Sequence, residues 1–256
     1  MARYDLMNPW RRIAAVLSWQ LTGFRRSGLP TVVIVLLLIC AGIAAFSDAV
    51  ALIESESTRA GFYSSAIKLS LGLLISTVMI QATAVLFRDR VAEMMLASSL
   101  NRLEMVVGLF LSGMALSLLL AVVAGLVGYA VVGNSAAMGW SISLSLFLMV
   151  LSAVGVLFAL ALKRMLPALM ATVAVWVLCI SMPTLYSLIS PDTPVFDLFM
   201  HGLTWILPTL AQFAPSGWLL ESNLVLDTLI DQGLETAIFI LLLISAGWVD
   251  LKSRPL

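Results

Sequence analysis

Residues 105–132 read MVVGLFLSGMALSLLLAVVAGLVGYAVV, 28 residues without one charged side chain. As a helix they extend about 42 Å, and a bilayer core about 30 Å thick needs roughly 20 apolar residues to cross. Five more runs with few charges lie at 29–46, 66–87, 141–162, 168–189 and 234–249. They are continuous rather than alternating, which argues for helices and against a barrel. The whole chain agrees: 61% of residues are hydrophobic, 11% are charged and the mean hydropathy is +1.07. A soluble domain carries about 25% charged residues. The expected fold is therefore an all-α polytopic membrane protein of six transmembrane helices, one domain over residues 1–256.

Charge sets the expected orientation. Arg3, Arg11, Arg12, Arg25 and Arg26 precede the first run, and Arg88, Arg90 and Arg102 lie between the second and third. Lys163 and Arg164 separate the fourth and fifth, and Lys252 and Arg254 follow the last. Twelve of the 14 cations thus share one side, leaving Arg59 and Lys68 on the other, where Lys68 can snorkel from the start of the second span. The positive-inside rule then puts both termini in the cytoplasm, as six spans require. The first run begins at Leu29, too late and too long for the apolar core of a cleavable signal. Lysine and arginine balance aspartate and glutamate, so no basic surplus points to nucleic acid.

Three segments outside these runs carry information. In 9–26, Trp10, Ile13, Leu17, Leu21 and Phe24 recur at helical spacing between arginine pairs, with Pro9 suited to a helix start and Gly28 and Pro30 breaking it. This predicts an amphipathic elbow helix at the membrane surface; an ordinary basic flank is the alternative. In 88–100, helix formers run without Gly or Pro, with Val91, Met94, Met95 and Ser98 on one face and Asp89 and Glu93 on another. That predicts a short cytoplasmic helix whose methionines either contact a partner or pack under the bundle. Asn101 followed by Glu104 fits a capping box opening the third span. The connection 190–233 holds Asp192, Asp197, Glu221, Asp227 and Asp231, no Lys or Arg, and two apolar stretches at 196–210 and 217–226. These read as short outer or re-entrant helices, with an eight-span arrangement as the alternative.

Chemistry is sparse. Cys40 and Cys179 lie far apart in apolar runs, outside any CxxC, and the single histidine, His201, cannot build a histidine-rich metal site, so no metal centre is expected. Residues 214–217, Ala-Pro-Ser-Gly, lack the first glycine of a GxSG serine motif, which disfavours a six-span intramembrane protease. No GxxxxGK[ST] loop occurs, so the chain is not expected to hydrolyse nucleotide itself. Ser76, Thr77, Gln81 and Thr83 cluster in the second span, where Gln81 is the one amide. Such groups serve as interhelical glue or line a pathway, and Thr77 and Gln81 are the pathway candidates. The pairs Ala121/Gly125 and Ala124/Gly128 allow close helix approach.

The stretch 96–108, Leu-Ala-Ser-Ser-Leu-Asn-Arg-Leu-Glu-Met-Val-Val-Gly, resembles the segment after the second span of type-2 ABC transporter permeases. Leu96, Ser98, Leu100, Arg102, Glu104 and Gly108 match that family's pattern. Ser99 stands for its usual proline, Asn101 for a serine and Leu109 for a lysine. The family also has an N-terminal elbow helix, six spans, cytoplasmic termini and short outer helices before the last span. In size the chain is similar to the permeases of haem export and copper-enzyme maturation. The resemblance implies the membrane subunit of an ATP-driven exporter in a bacterial inner membrane, paired as a homodimer, with no cofactor of its own. Separate ATPase subunits would bind ATP and Mg and seat the coupling helix 88–100. Arg88, Asp89, Arg90 and Glu93 would then supply polar register, and Val91, Met94, Met95 and Ser98 contact area. Asn101, Arg102, Glu104 and Gly108 would form the junction to the third span. The competing readings are a membrane-embedded enzyme and a non-transporting anchor or signalling module.

Overall fold

Pro9 opens the first helix and Gly28, at φ +75°, ends the turn after it, a left-handed conformation open to glycine at little cost. The computed structural model describes residues 9–50, 55–88, 101–134, 136–188, 210–220 and 226–253. Seven helices are described: α1 (Pro9–Arg26), α2 (Leu29–Val50), α3 (Ser55–Arg88), α4 (Arg102–Val132), α5 (Ala137–Leu162), α6 (Met165–Leu188) and α7 (Leu226–Ser253). Two short 3₁₀ turns, Leu210–Gln212 and Ser216–Leu219, lie between α6 and α7, and no strand occurs among the described residues.

The chain is an all-helical protein with a membrane protein's apolar helices. Five of them, α2, α3, α4, α5 and α7, are long and apolar enough to cross a bilayer, and α6 carries a shorter apolar stretch, Met165–Ser181. Two helices start eight or more residues before their apolar runs. The second run was expected from 66, yet α3 begins at Ser55; the last, short at 234–249 and expected to begin before Leu234, does so at Leu226. Each extension holds a polar residue with a protein partner inside the bundle, Ser64 in α3 and Gln232 in α7, so the helix continues where apolar counting stops. The connection 190–233 therefore gives up its last part to α7. The stretch expected as a short helix over 217–226 shows a 3₁₀ turn in its described part.

α5 is the central helix: 72% of its spanning window is buried, against 28% for α2 and 22% for α7. It packs on α3, α4, α6 and α7. The small residues of α4 explain its closest approach. A Cβ at Gly125 would lie 2.5 Å from Ser141 Cβ on α5, and one at Gly128 would lie 3.0 Å from the Tyr63 ring on α3. Tyr63 sends its hydroxyl to the Ala124 carbonyl (2.6 Å), so the stripe seats a buried aromatic rather than merely avoiding a clash. The outward faces of α2 (Ile34, Leu38, Ile39) and α7 (Ile238, Leu241, Leu242) stay apolar and exposed, as a lipid-facing surface requires.

Candidate functional site

The start of α4 is where residues 101–108 acquire partners. Glu104 reaches back to accept from the Asn101 backbone N–H (3.0 Å), one half of the expected capping box, and so fixes the first turn. Its other oxygen lies 3.4 Å from Arg12 Nη2 on α1. Four residues on, a Cβ at Gly108 would lie 2.9 Å from the Val16 side chain. Four further on, Ser112 and Gln20 share a hydrogen bond. Positions 12, 16 and 20 of α1 thus meet 104, 108 and 112 of α4, both stepping one helical row at a time. The two helices run alongside each other in the same direction for about 12 Å. Arg102 turns the opposite way and donates to the carbonyls of Leu251 (2.6 Å) and Lys252 (3.3 Å), the last turn of α7. A guanidinium suits a helix C-terminus, where carbonyls lack partners and the dipole is negative.

These contacts reveal which face of α1 meets the bundle. Val16, Gln20 and Phe24 are its buried residues. Of the apolar stripe read from the sequence, Phe24 is buried, Ile13, Leu17 and Leu21 are half-buried, and Trp10 is 69% exposed. Hydrophobic periodicity missed the seam because two of its three contacts are polar.

Arg88 is the last residue of α3. The other expected ATPase contacts, Asp89, Arg90, Val91, Glu93, Met94, Met95 and Ser98, lie outside the described residues, as does His201. Thr77 donates to the Leu73 carbonyl of its own helix (2.8 Å). Gln81 is exposed and borders two cavities near this end of the bundle. The turn from α5 to α6 reaches the same end. Lys163 closes α5 in a left-handed conformation, φ +54°, with its N–H on the Ala159 carbonyl (2.9 Å). Glycine is the usual residue there, and a side-chain-bearing residue costs about 1–2 kcal/mol. Lys163 carries its ammonium to 5.4 Å from the Phe87 ring centroid, which ties the turn to α3.

The opposite end closes differently. Residues 210–220 enter the bundle, and side chains from three helices capture their backbone. The Ala214 N–H donates to Ser143 Oγ (2.8 Å), and Ser143 donates onward to Gln232 Oε1 (2.6 Å). The Gln232 amide nitrogen completes the loop at the Gln212 carbonyl (3.0 Å). Trp140 Nε1 and Ser64 Oγ both donate to the Ala214 carbonyl (3.1 Å each). Ala214 itself stands at φ +47°, and these bonds over-determine that strained conformation. Lys68, expected to snorkel outward, instead donates to the Phe213 carbonyl (3.0 Å). Asn134 caps the far side, donating to the Leu220 carbonyl (2.7 Å).

No family model matches the chain, and no curated protein matches it in sequence.

Proposed function

We propose that this chain is the membrane-spanning subunit of an ATP-driven exporter, of the type-2 ABC permease kind. In this reading two copies form the pathway, and separate ATPase subunits drive it through the connection 88–100. Both termini and that connection face the cytoplasm of a bacterial cell, six helices span its inner membrane, and α1 is the elbow at the inner surface.

The observation that carries the reading is the junction at the start of α4. Arg102, Glu104 and Gly108, the family-like residues next to the connection, each hold a different piece: Arg102 the end of α7, Glu104 the first turn of α4 and Arg12, Gly108 the body of α1. A force applied to 88–100 therefore reaches α3 directly, α4 directly, and α1 and α7 through side-chain contacts. A mere anchor has no need for such a clamp.

The test is purification of the tagged full chain from its native membrane. An ABC ATPase should accompany it and hydrolyse ATP faster in its presence. Met94→Asp with Met95→Asp should abolish both association and stimulation while leaving the protein folded. Retention of a stimulated ATPase by that variant would overturn the assignment of 88–100, and isolation without any ATPase would overturn the exporter reading.

A further inference from the structure

Two cavities flank the lower part of α3 on the cation-rich end of the bundle. One, about 440 Å³, lies between α1 and α3, with Phe24, Val78 and Ala82 as apolar wall and Arg26 at its rim. Gln20 borders it too; that side chain is 3% exposed, and its amide nitrogen has no hydrogen-bond partner among the described residues. The other, about 370 Å³, brings Arg88 of α3 together with Lys163 and Arg164 of the α5–α6 turn. Gln81 and Val85 line both, so the two adjoin. Among the described lining residues neither cavity has a carboxylate.

We propose that these adjoining cavities form a binding site for an anionic phospholipid of the cytoplasmic leaflet. The phosphate sits among Arg88, Lys163 and Arg164, and the glycerol and upper chains lie against Phe24, Val78 and Ala82. The shape fits such a ligand. From Arg88 to Val78 the helix rises about 15 Å, and a leaflet with its headgroups is roughly 20 Å deep. The polarity changes along that length from three cations, through an amide, to hydrocarbon. A soluble phosphate would use the cationic cavity alone and leave the apolar one without a role. A neutral lipid would make no use of the cluster of Arg88, Lys163 and Arg164 at one end of the paired cavities. The site rests on cavity geometry and charge and does not depend on the exporter reading.

The test uses the full chain alone, without any ATPase, in nanodiscs of phosphatidylcholine doped with phosphatidylglycerol. Native mass spectrometry counts the phosphatidylglycerol retained on release. Lys163→Gln with Arg164→Gln should weaken retention about 25-fold, at about fivefold per cation. Val85→Trp keeps every charge and fills the shared wall; it should also lose the lipid. Arg11→Gln with Arg25→Gln removes the same charge outside both cavities and should change retention less than about twofold. Retention by both cavity variants, or an equal loss in the Arg11/Arg25 variant, would overturn the site. Displacement by millimolar inorganic phosphate would overturn the lipid as its occupant. Because no ATPase is present, failure here leaves the exporter proposal standing, and loss of ATPase coupling elsewhere leaves this site standing.

Discussion

Gly108→Ala tests the seam between α1 and α4 by the sign of its effect. In an open helix interior this change stabilises by about 0.5–1 kcal/mol, because alanine loses less backbone freedom on folding. At 108 the new methyl would stand 2.9 Å from both Cβ and Cγ1 of Val16, well inside contact distance. Val16 is β-branched, and the offending atom is next to its backbone, so no rotamer change relieves the overlap. Helix α1 must shift as a body, and overpacking of this kind costs about 1–3 kcal/mol. The net expectation is a loss of about 1 kcal/mol, up to about 2. Gly42→Ala on α2 and Gly61→Ala on α3 are the controls, since nothing lies within 4 Å of a Cβ at either, and both should be neutral or stabilising. Reversible unfolding in mixed detergent micelles gives the comparison. A cycle with Val16→Ala should show coupling above about 0.5 kcal/mol, as expected for residues in contact. Gly108→Ala matching Gly42→Ala in sign, with an additive cycle, would refute the parallel packing of α1 on α4.

Three further changes probe other joints. Arg102→Ala removes charge-assisted bonds to the Leu251 and Lys252 carbonyls, worth about 1.5–3 kcal/mol, and hydrogen exchange over 249–253 should accelerate; unchanged exchange there would deny the hook between α4 and α7. Ser143→Ala leaves the Ala214 N–H and Gln232 Oε1 without their shared partner, at about 1–3 kcal/mol, and exchange at 212–214 should rise while α4 stays protected. Gly28→Ala meets no steric neighbour yet forces a methyl into φ +75°, so thermal stability should fall by about 1–2 kcal/mol, and unchanged stability would deny the left-handed turn between α1 and α2.

What the sequence revealed and what it hid follow from one physical distinction. Apolar runs measure transfer into lipid, so they located the helix centres, while Pro9, Gly28 and Asn101 with Glu104 marked boundaries through backbone geometry and capping. Ala121, Ala124, Gly125 and Gly128 announced a close approach, and only the structure shows that Ser141 and Tyr63 occupy it. The hidden features are polar groups inside the protein. Gln20, Ser143 and Gln232 look costly in a hydropathy sum, yet each has a partner tens of residues away. For the same reason α3 and α7 outrun their apolar cores. The contact surface expected on 88–98 lies, beyond Arg88, outside the described residues, so the contacts of 101–108 can be followed and those of the connection cannot.

The two ends of the bundle are fastened by different means, and that difference constrains how the proposed exporter moves. At the cation-rich end α1 is fixed to α4 at three successive rows, and α7 is hooked to α4 by Arg102, so these helices travel together. α3 is outside that clamp: α1 packs on α4 and α2, and a cavity lies between α1 and α3. In the proposed exporter a push on 88–100 would act on the end of α3 and the start of α4 at once, and the cavity between α1 and α3 is the space into which α3 has room to move. At the other end Ser64 and Lys68 of α3 share the 210–220 backbone with Trp140 and Ser143 of α5 and Gln232 of α7. A displacement of α3 that widens the first joint must stretch the bonds of Ser64 and Lys68 to that segment. In this reading opening at one end and release at the other are linked through one helix, and the bonds of Ser64 and Lys68 to the Ala214 and Phe213 carbonyls are the contacts that must yield.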